Sequence, residues 1–280
     1  MPEFPLTAPR TPIRPVFGAF IAVALSACGT LPDLTRIEPS DGAPPHVVDV
    51  SRIPDAVPRV EPFSKYGNPA SYLVGYQRYY VLSDNAGYVE RGVASWYGTK
   101  FHGRRTSSGE PYDMYAMTAA HKTLPLPTYA QVTNLRNGRM VVVKINDRGP
   151  FKDNRLIDLS YAAAIKLGIT AEGTGLVEVR ALDPATHQVQ RKAAPGLAAH
   201  PGGPSLYLQI GAFSSAENAE RLRTRLGTVA HANVRIVRAE IEQRTVYRVR
   251  IGPIAGVDEA DRMSRELALL GLDDSRIVID

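Results

Sequence analysis

The alternation of apolar and polar positions predicts strands in the middle of this 280-residue chain. Residues 130–135 alternate, residues 139–145 are rich in β-branched side chains, and Asn137-Gly138 between them is a tight-turn signal. One helix interrupts the strands, with Ser160 as candidate N-cap and Gly168 where the apolar spacing stops. Residues 176–182 have the pattern of a closing strand. Many short strands in about 90 residues predict a small β-barrel.

The last 76 residues have a different pattern. Strands are predicted over 206–213, 234–241, 246–251 and 276–279. A helix opens at the capping box Ser214-x-x-Glu217 and stops at Gly227. A second helix carries apolar residues at helical spacing, namely Ala260, Met263, Leu267 and Leu270, and is followed by Gly271. The order β-α-β-β-α-β predicts a ferredoxin-like domain over residues 205–280.

The N-terminus has the pattern of an export signal. Arg10 and Arg14 precede an apolar run over residues 16–25, which is too short to cross a ~30 Å hydrocarbon layer. Leu25-Ser26-Ala27-Cys28 resembles the bacterial lipobox, which implies a signal peptide over 1–27 and acylation of Cys28. Gly29, rather than an aspartate, implies sorting to the outer membrane. The alternative is an incidental buried cysteine.

Proline-rich stretches separate these parts. We expect residues 28–91 to form a tether and lead-in and residues 184–204 to form a second linker, which leaves residues 92–183 for the barrel. Four closely spaced tyrosines within residues 72–80 indicate a short ordered piece in the lead-in. Since Cys28 is the only cysteine, packing alone must hold the domains together.

The distribution of charge and the motifs that the sequence lacks argue against several classes of function. The sequence pI is about 9.3, yet residues 205–280 hold 11 Lys and Arg against 11 Asp and Glu, whereas residues 92–182 hold 12 against 7. A neutral, exported C-terminal domain argues against a nucleic-acid partner. The six histidines are scattered, and there is no phosphate-binding loop or serine-hydrolase elbow, so we expect no metal and no cofactor.

Two carboxylates lie in turns rich in glycine and proline, where rigid scaffolds present functional groups. Glu110 and Asp147 are these candidates, and His121 is a third. Each has an ordinary structural alternative: Glu110 as a solvated loop charge, Asp147 as an Asx-turn residue, and His121 as a core histidine bonded to the backbone.

Longer segments resemble a known family. They are GVASWYG (92–98), TSSGEPYDM (106–114), TAAH (118–121), VTNLRNG (132–138) and VVKINDRGPF (142–151). They resemble the six-stranded double-psi β-barrel of the rare lipoprotein A family, whose members are septal lytic transglycosylases. The segments LQIGAF (208–213) and RVRIGP (248–253) resemble the SPOR domain that follows the barrel in that family. The implied fold is therefore mainly β, followed by an α+β domain.

The resemblance implies a reaction and its residues. The reaction is cleavage of the β-1,4 bond between N-acetylmuramic acid and N-acetylglucosamine, which leaves a 1,6-anhydro end. Asp147, Glu110 and His121 match the family's functional positions, and we favour Asp147 as acid and base, although the sequence does not distinguish it from Glu110. The candidate substrate-binding residues are Trp96, Tyr97, Thr106, Ser107, Ser108, Tyr112, Asn146 and Arg148. Of these, Trp96, Tyr97 and Tyr112 could stack on sugars or belong to the core.

The SPOR resemblance implies binding of glycan strands that lack stem peptides, which accumulate at the division septum. Strand alternation places Gln209, Arg248 and Arg250 on the open sheet face. Where relatives often carry a serine and an aromatic residue, this chain has Ala212 and Val246. The implied partners are denuded peptidoglycan and the outer membrane, with divisome proteins as a further possibility. Two alternatives are a non-catalytic, wall-loosening glycan binder and a septal scaffold.

Overall fold

The computed structural model describes residues 41–46, 48–152, 154–185, 203–229, 233–241 and 243–280. The elements are β1 Ser71–Val74, β2 Gln77–Tyr80, β3 Val89–Tyr97, β4 Thr118–His121, β5 Thr128–Asn134, β6 Met140–Asp147, β7 Ile157–Ser160, α1 Tyr161–Leu167, β8 Gly175–Ala181, β9 Leu206–Phe213, α2 Ala216–Val229, β10 Val234–Ile241, β11 Arg244–Ile254, α3 Val257–Leu269 and β12 Arg276–Ile279. Cys28, the signal segment and most of the second linker lie outside the described residues. In the described part of the chain, no helix has both the length and the apolar character needed to cross a membrane.

The predicted barrel is present, and it is closed. Six strands follow the order β3-β7-β4-β6-β5-β8. The pairs β3–β7 and β4–β6 are parallel and the other four are antiparallel. Both caps of α1 are as predicted: Ser160 Oγ accepts from Ala163 N, and Gly168 ends the helix at φ 76°, a conformation that favours glycine. Closure leaves no free barrel edge and gives β6 a rigid frame.

Residues 41–46 and 48–70, which we call the strap, wrap the barrel. The Asp41 carboxylate accepts hydrogen bonds from Gly98 N and Lys100 N at 3.0–3.1 Å. Ala56 packs on the outer-face residues Tyr129, Val142 and Leu182. The expectation that this stretch is a free tether is therefore wrong for the strap, because its polar and apolar side chains find partners on the barrel.

Close contacts fix both ends of the strap. A Cβ on Gly98 would lie 2.1 Å from Gly42 O, so only glycine admits the strap there. At the other end, Asn68 and Leu126 exchange two hydrogen bonds of 2.7 and 2.8 Å. The hairpin β1–β2 follows, so part of the tyrosine-rich lead-in is ordered, as predicted.

The C-terminal domain has the predicted βαββαβ order. Its four-stranded antiparallel sheet has the order β10-β11-β9-β12. Both predicted ends of α2 were wrong. Ser215 rather than Ser214 caps α2, since its Oγ accepts from Asn218 N, and the helix continues past Gly227 to Val229. Leu270 lies just beyond α3 and is 43% exposed.

The barrel and the C-terminal domain are in contact. Outward-facing Val93 and Leu176 of the barrel belong to the same apolar cluster as the core of the C-terminal domain. Arg155 forms a bidentate pair with Asp261 of α3 at 2.6 and 3.2 Å, and the Arg155 side chain is 1% exposed. A buried ion pair within an apolar contact constrains how the two surfaces meet.

Candidate active site

Glu110 and Asp147 belong to one junction, where a loop crosses the end of a strand. The loop over residues 105–111 is closed on itself by Thr106, whose N–H and hydroxyl both donate to Glu110 O at 2.8 Å. Ser107 N and Ser107 Oγ donate to Asp147 Oδ1 at 2.7 and 2.6 Å. Asn146 Nδ2 donates to Glu110 Oε2 at 2.7 Å. The two predicted carboxylates therefore share one junction, built by residues that were also predicted for the site.

Glu110 has both carboxylate oxygens engaged. Asn146 holds Oε2, and Lys144 Nζ lies 2.8 Å from Oε1. Burial acts to raise the pKa of Glu110, but the hydrogen bonds from Asn146 and Lys144 and the Lys144 charge outweigh it, so the pKa is lowered. Glu110 is therefore suited to act as a fixed negative charge.

Asp147 is held by one oxygen only. Its Oδ1 accepts from Ser107 N, Ser107 Oγ and Arg148 N, the last at 2.8 Å. Among the described residues, no hydrogen bond engages its Oδ2. The arrangement orients the carboxyl group and leaves one oxygen for a proton.

His121 is enclosed rather than open to a groove. It is 2% exposed, and its Nδ1 accepts from Thr123 N and Leu124 N at 3.2 and 3.0 Å. Nε2 lies 3.0 Å from Tyr88 Oη, so this network assigns the ring proton to Nε2. Burial lowers the pKa of His121 to about 3. A neutral, buried imidazole bonded to backbone matches the core-histidine alternative, and it shapes the loop beside the site.

Arg148 is a clamp within the protein. Its Nε donates to Gly67 O at 2.8 Å, and its two terminal nitrogens donate to His121 O, Leu124 O and Asn68 Oδ1. Because the guanidinium joins the strap to the loop after His121, Arg148 positions the site, and these donors are not directed at a substrate.

The aromatic residues proposed as sugar platforms are mostly core. Tyr97 and Tyr112 are 8% and 3% exposed, and their rings stack with centroids 4.0 Å apart. Trp96 is half-buried and packs on Tyr161. Thr106 and Asn146 are also buried, whereas Ser107 and Ser108 remain half-buried in the loop. The stacking role is therefore wrong for Tyr97 and Tyr112, because their faces are used inside the protein.

Exposed aromatic residues that were not predicted for the site flank the junction. Tyr66 of the strap is 50% exposed, and the Arg105 guanidinium stacks on it at 5.2 Å. Phe151 follows the Asp147 turn, is 43% exposed, and packs on Tyr79 with ring centroids 5.7 Å apart. The sequence carried a signal for Phe151, which ends the segment over residues 142–151 that resembles the family.

The sheet face of the C-terminal domain is less open than expected. Gln209 and Arg250 pair across neighbouring strands, but each is only 5% exposed, while Arg248 is half-buried. Gln209 lies in a central strand between Arg250 and Arg276, and Arg250 is drawn to both Asp280 oxygens at 2.8 and 3.0 Å. Within the described residues, Gln209 Oε1 and Arg250 Nε lack hydrogen-bond partners.

Comparison with known proteins decides the family. A family model described as lytic transglycolase matches residues 89–180, and a SPOR domain model matches residues 202–277. The endolytic peptidoglycan transglycosylase RlpA of Pseudomonas aeruginosa (strain UCBPP-PA14) is 41% identical over 85% of this chain and 84% of its own length. RlpA of Vibrio cholerae is 39% identical over 85% of this chain and 86% of its own. The chain belongs to the RlpA family.

RlpA membership confirms the resemblance found in the sequence, and with it the predicted enzyme class, lytic transglycosylase. A crystal structure of the RlpA SPOR domain from Pseudomonas aeruginosa is 37% identical, with a TM-score of 0.25, over 26% of this chain and 96% of that one. The SPOR match confirms the predicted C-terminal domain. Both domains of the chain thus match those of the RlpA family.

Proposed function

We propose that this protein is a lytic transglycosylase that cleaves the β-1,4 bond between N-acetylmuramic acid and N-acetylglucosamine in peptidoglycan strands lacking stem peptides. The carrying observation is the junction that holds Glu110 and Asp147 together through Ser107 and Asn146. Two oriented carboxyl groups with different hydrogen-bond environments can divide the roles of acid and charge stabiliser.

The geometry favours Asp147 as acid and base. A proton on Oδ2 passes to the glycosidic oxygen as the C1–O bond breaks, and the Glu110 carboxylate stabilises the positive charge that develops on the sugar. The muramyl 6-hydroxyl then attacks C1, and its proton returns to Asp147. This closes a 1,6-anhydro ring with no protein nucleophile and no positioned water, unlike the usual hydrolytic pair of carboxylates.

The surrounding residues support binding of an extended glycan. Tyr66 lies beside the Glu110 loop, where a Cβ on Gly109 would be 3.5 Å from its ring, and Phe151 follows the Asp147 turn. Exposed aromatic faces suit the apolar faces of sugars. We assign the stacking roles to these two residues, and the positioning roles to His121 and Arg148.

The SPOR domain gives the enzyme a second glycan contact. Gln209, Arg248 and Arg250 share one sheet face, and the polar atoms of Gln209 and Arg250 that lack partners could bond sugar hydroxyls if the face opens. We infer that Cys28 anchors the protein to the outer membrane and that the SPOR domain concentrates it at the septum. A fluorescent fusion of the full chain should gather at septa, and a uniform envelope signal would contradict this.

Digestion of peptide-free glycan strands by the full chain in detergent, followed by mass spectrometry, tests the reaction. Anhydro-ended fragments are expected. Asp147→Asn should lower the rate by about 10²–10⁴-fold and Glu110→Gln by about 10²-fold. Glu172→Gln is the matched control, since this exposed carboxylate pairs with Arg136. Strand binding without fragments would instead support the non-catalytic glycan binder.

A further inference from the structure

Lys144 lies between two carboxylates. Its Nζ is 2.8 Å from Glu110 Oε1 and 3.1 Å from Glu61 Oε2, and its side chain is only 18% exposed. Glu61 belongs to the strap, and its other oxygen accepts a hydrogen bond from Tyr129 Oη. One ammonium group therefore joins the strap to the candidate active site.

The strand geometry explains why Lys144 is in place. Val143 and Ile145 of β6 are fully buried in the barrel interior. Alternation then directs Lys144 and Asn146 to the other face of the strand, two residues apart. These two side chains hold the two oxygens of Glu110, so β6 fixes the carboxylate with a pair of adjacent donors.

The charges favour one protonation state. Burial acts to lower the pKa of Lys144, but the hydrogen bonds that its ammonium group donates to Glu110 and Glu61, together with their negative charges, outweigh burial and raise the pKa. The groups that face Glu110 are Lys144 and Asn146 from β6 and the more distant Glu61 charge, which acts to raise the pKa of Glu110. Arg59 and Tyr129 act on Glu61 itself. Lys144 thus remains an ammonium group and Glu110 a carboxylate.

We propose that Lys144 is a positioning residue that fixes Glu110 for catalysis, and that Glu61 makes the strap part of the active site by holding Lys144. The proposal rests on the charge-stabilising role given to Glu110 above. It assigns a function in the reaction to a segment whose composition resembles that of a linker.

The test compares four variants of the full chain on peptide-free strands across pH. Lys144→Met should lower the maximal rate at least tenfold and move the acid limb to higher pH, because Glu110 loses the cation that keeps it ionised. Lys144→Arg should restore most of the rate. Glu61→Gln keeps an oxygen acceptor but removes a negative charge, so the acid limb should move the other way, to lower pH.

Lys166→Met is the matched control, because Lys166 also binds a strap carboxylate, that of Asp55, without touching Glu110. If Lys144 did no more than hold the strap, Lys144→Met and Lys166→Met would be slowed alike and would keep the wild-type pH profile. That result would overturn the proposal. So would a Lys144→Met variant with the rate and profile of the wild type.

A readout without turnover separates this proposal from the proposed function. The Glu110 carboxyl titration can be followed by NMR in the wild type and in Lys144→Met. If the wild type releases no fragments, the proposed reaction fails, whereas an unchanged Glu110 titration midpoint would overturn the role of Lys144 by itself. A midpoint raised in Lys144→Met supports the contact whether or not cleavage occurs.

Discussion

Acidification should destabilise the barrel through His121. The folded-state pKa of His121 is about 3, against 6.5 for an unperturbed imidazole, because the ring is buried and close to the Arg148 and Lys122 charges. Between these values, the unfolded chain binds a proton that the folded chain does not. The stability that His121 contributes is therefore complete above pH 6.5 and is lost as the pH falls towards 3.

The size of the effect follows from the same two values. Each pH unit below 6.5 costs about 1.4 kcal/mol until the folded state also titrates, so the loss at about pH 5 is roughly 2 kcal/mol. In structural terms, a protonated ring can no longer accept from Thr123 N and Leu124 N. The amides of half-buried Thr123 and buried Leu124 would then lose this acceptor.

Urea unfolding at pH 8 and pH 5 measures this loss. Trp96 is the only tryptophan and packs on Tyr161, so its fluorescence reports on the barrel. His121→Asn keeps an acceptor near the Nδ1 position and does not titrate. The variant should lose about 2 kcal/mol less than the wild type between the two pH values. Equal losses in the wild type and His121→Asn would refute the reasoning.

Two further variants test the contact between domains and the glycan platform. Asp261→Ala leaves buried Arg155 without its partner and should lower the free energy of unfolding by about 3–5 kcal/mol in urea titrations, whereas Glu220→Ala on the surface should change it by under about 1 kcal/mol. Tyr66→Ala should raise KM for glycan strands about tenfold, or roughly 1.4 kcal/mol, at nearly constant kcat, while Tyr76→Ala at a fully exposed position should not. An unchanged value for either test variant would contradict the assigned contact.

The fold of both domains was predicted correctly, because residues close in sequence determine where each element begins and ends. Ser160 and Gly168 cap α1 as expected, since capping depends on residues three or four positions apart. The prediction of Ser214 as the N-cap of α2 was wrong, because Ser214 and Ser215 offer the same hydroxyl group. The direction in which the chain enters the helix decides between them. Residue type and spacing do not contain that direction.

The strap could not be predicted because its partners are distant in sequence. Asp41 binds Gly98, 57 positions away, and Glu61 binds Lys144, 83 positions away. A proline-rich extended segment has the same composition whether it is solvated or packed. The same limit applies to the site. Motifs predicted Glu110 and Asp147, but which aromatic residues face inward depends on barrel closure, which buries Tyr97 and Tyr112.

The strap changes how an anchor at Cys28 would act. If residues 28–91 were a free tether, the barrel could move far from the membrane. Because Asp41 already binds the barrel, at most the 13 residue steps from Cys28 to Asp41 remain as a spacer. At about 3.4 Å per extended residue, that is roughly 45 Å. If Cys28 is acylated, as proposed above, this spacer sets an upper limit of roughly 45 Å on the distance between the lipid-bearing residue and Asp41 while the strap stays bound. Release of the strap at Asp41 would lengthen the spacer and leave Glu61 on Lys144, whereas release that continued to Glu61 would also remove the contact that fixes Glu110.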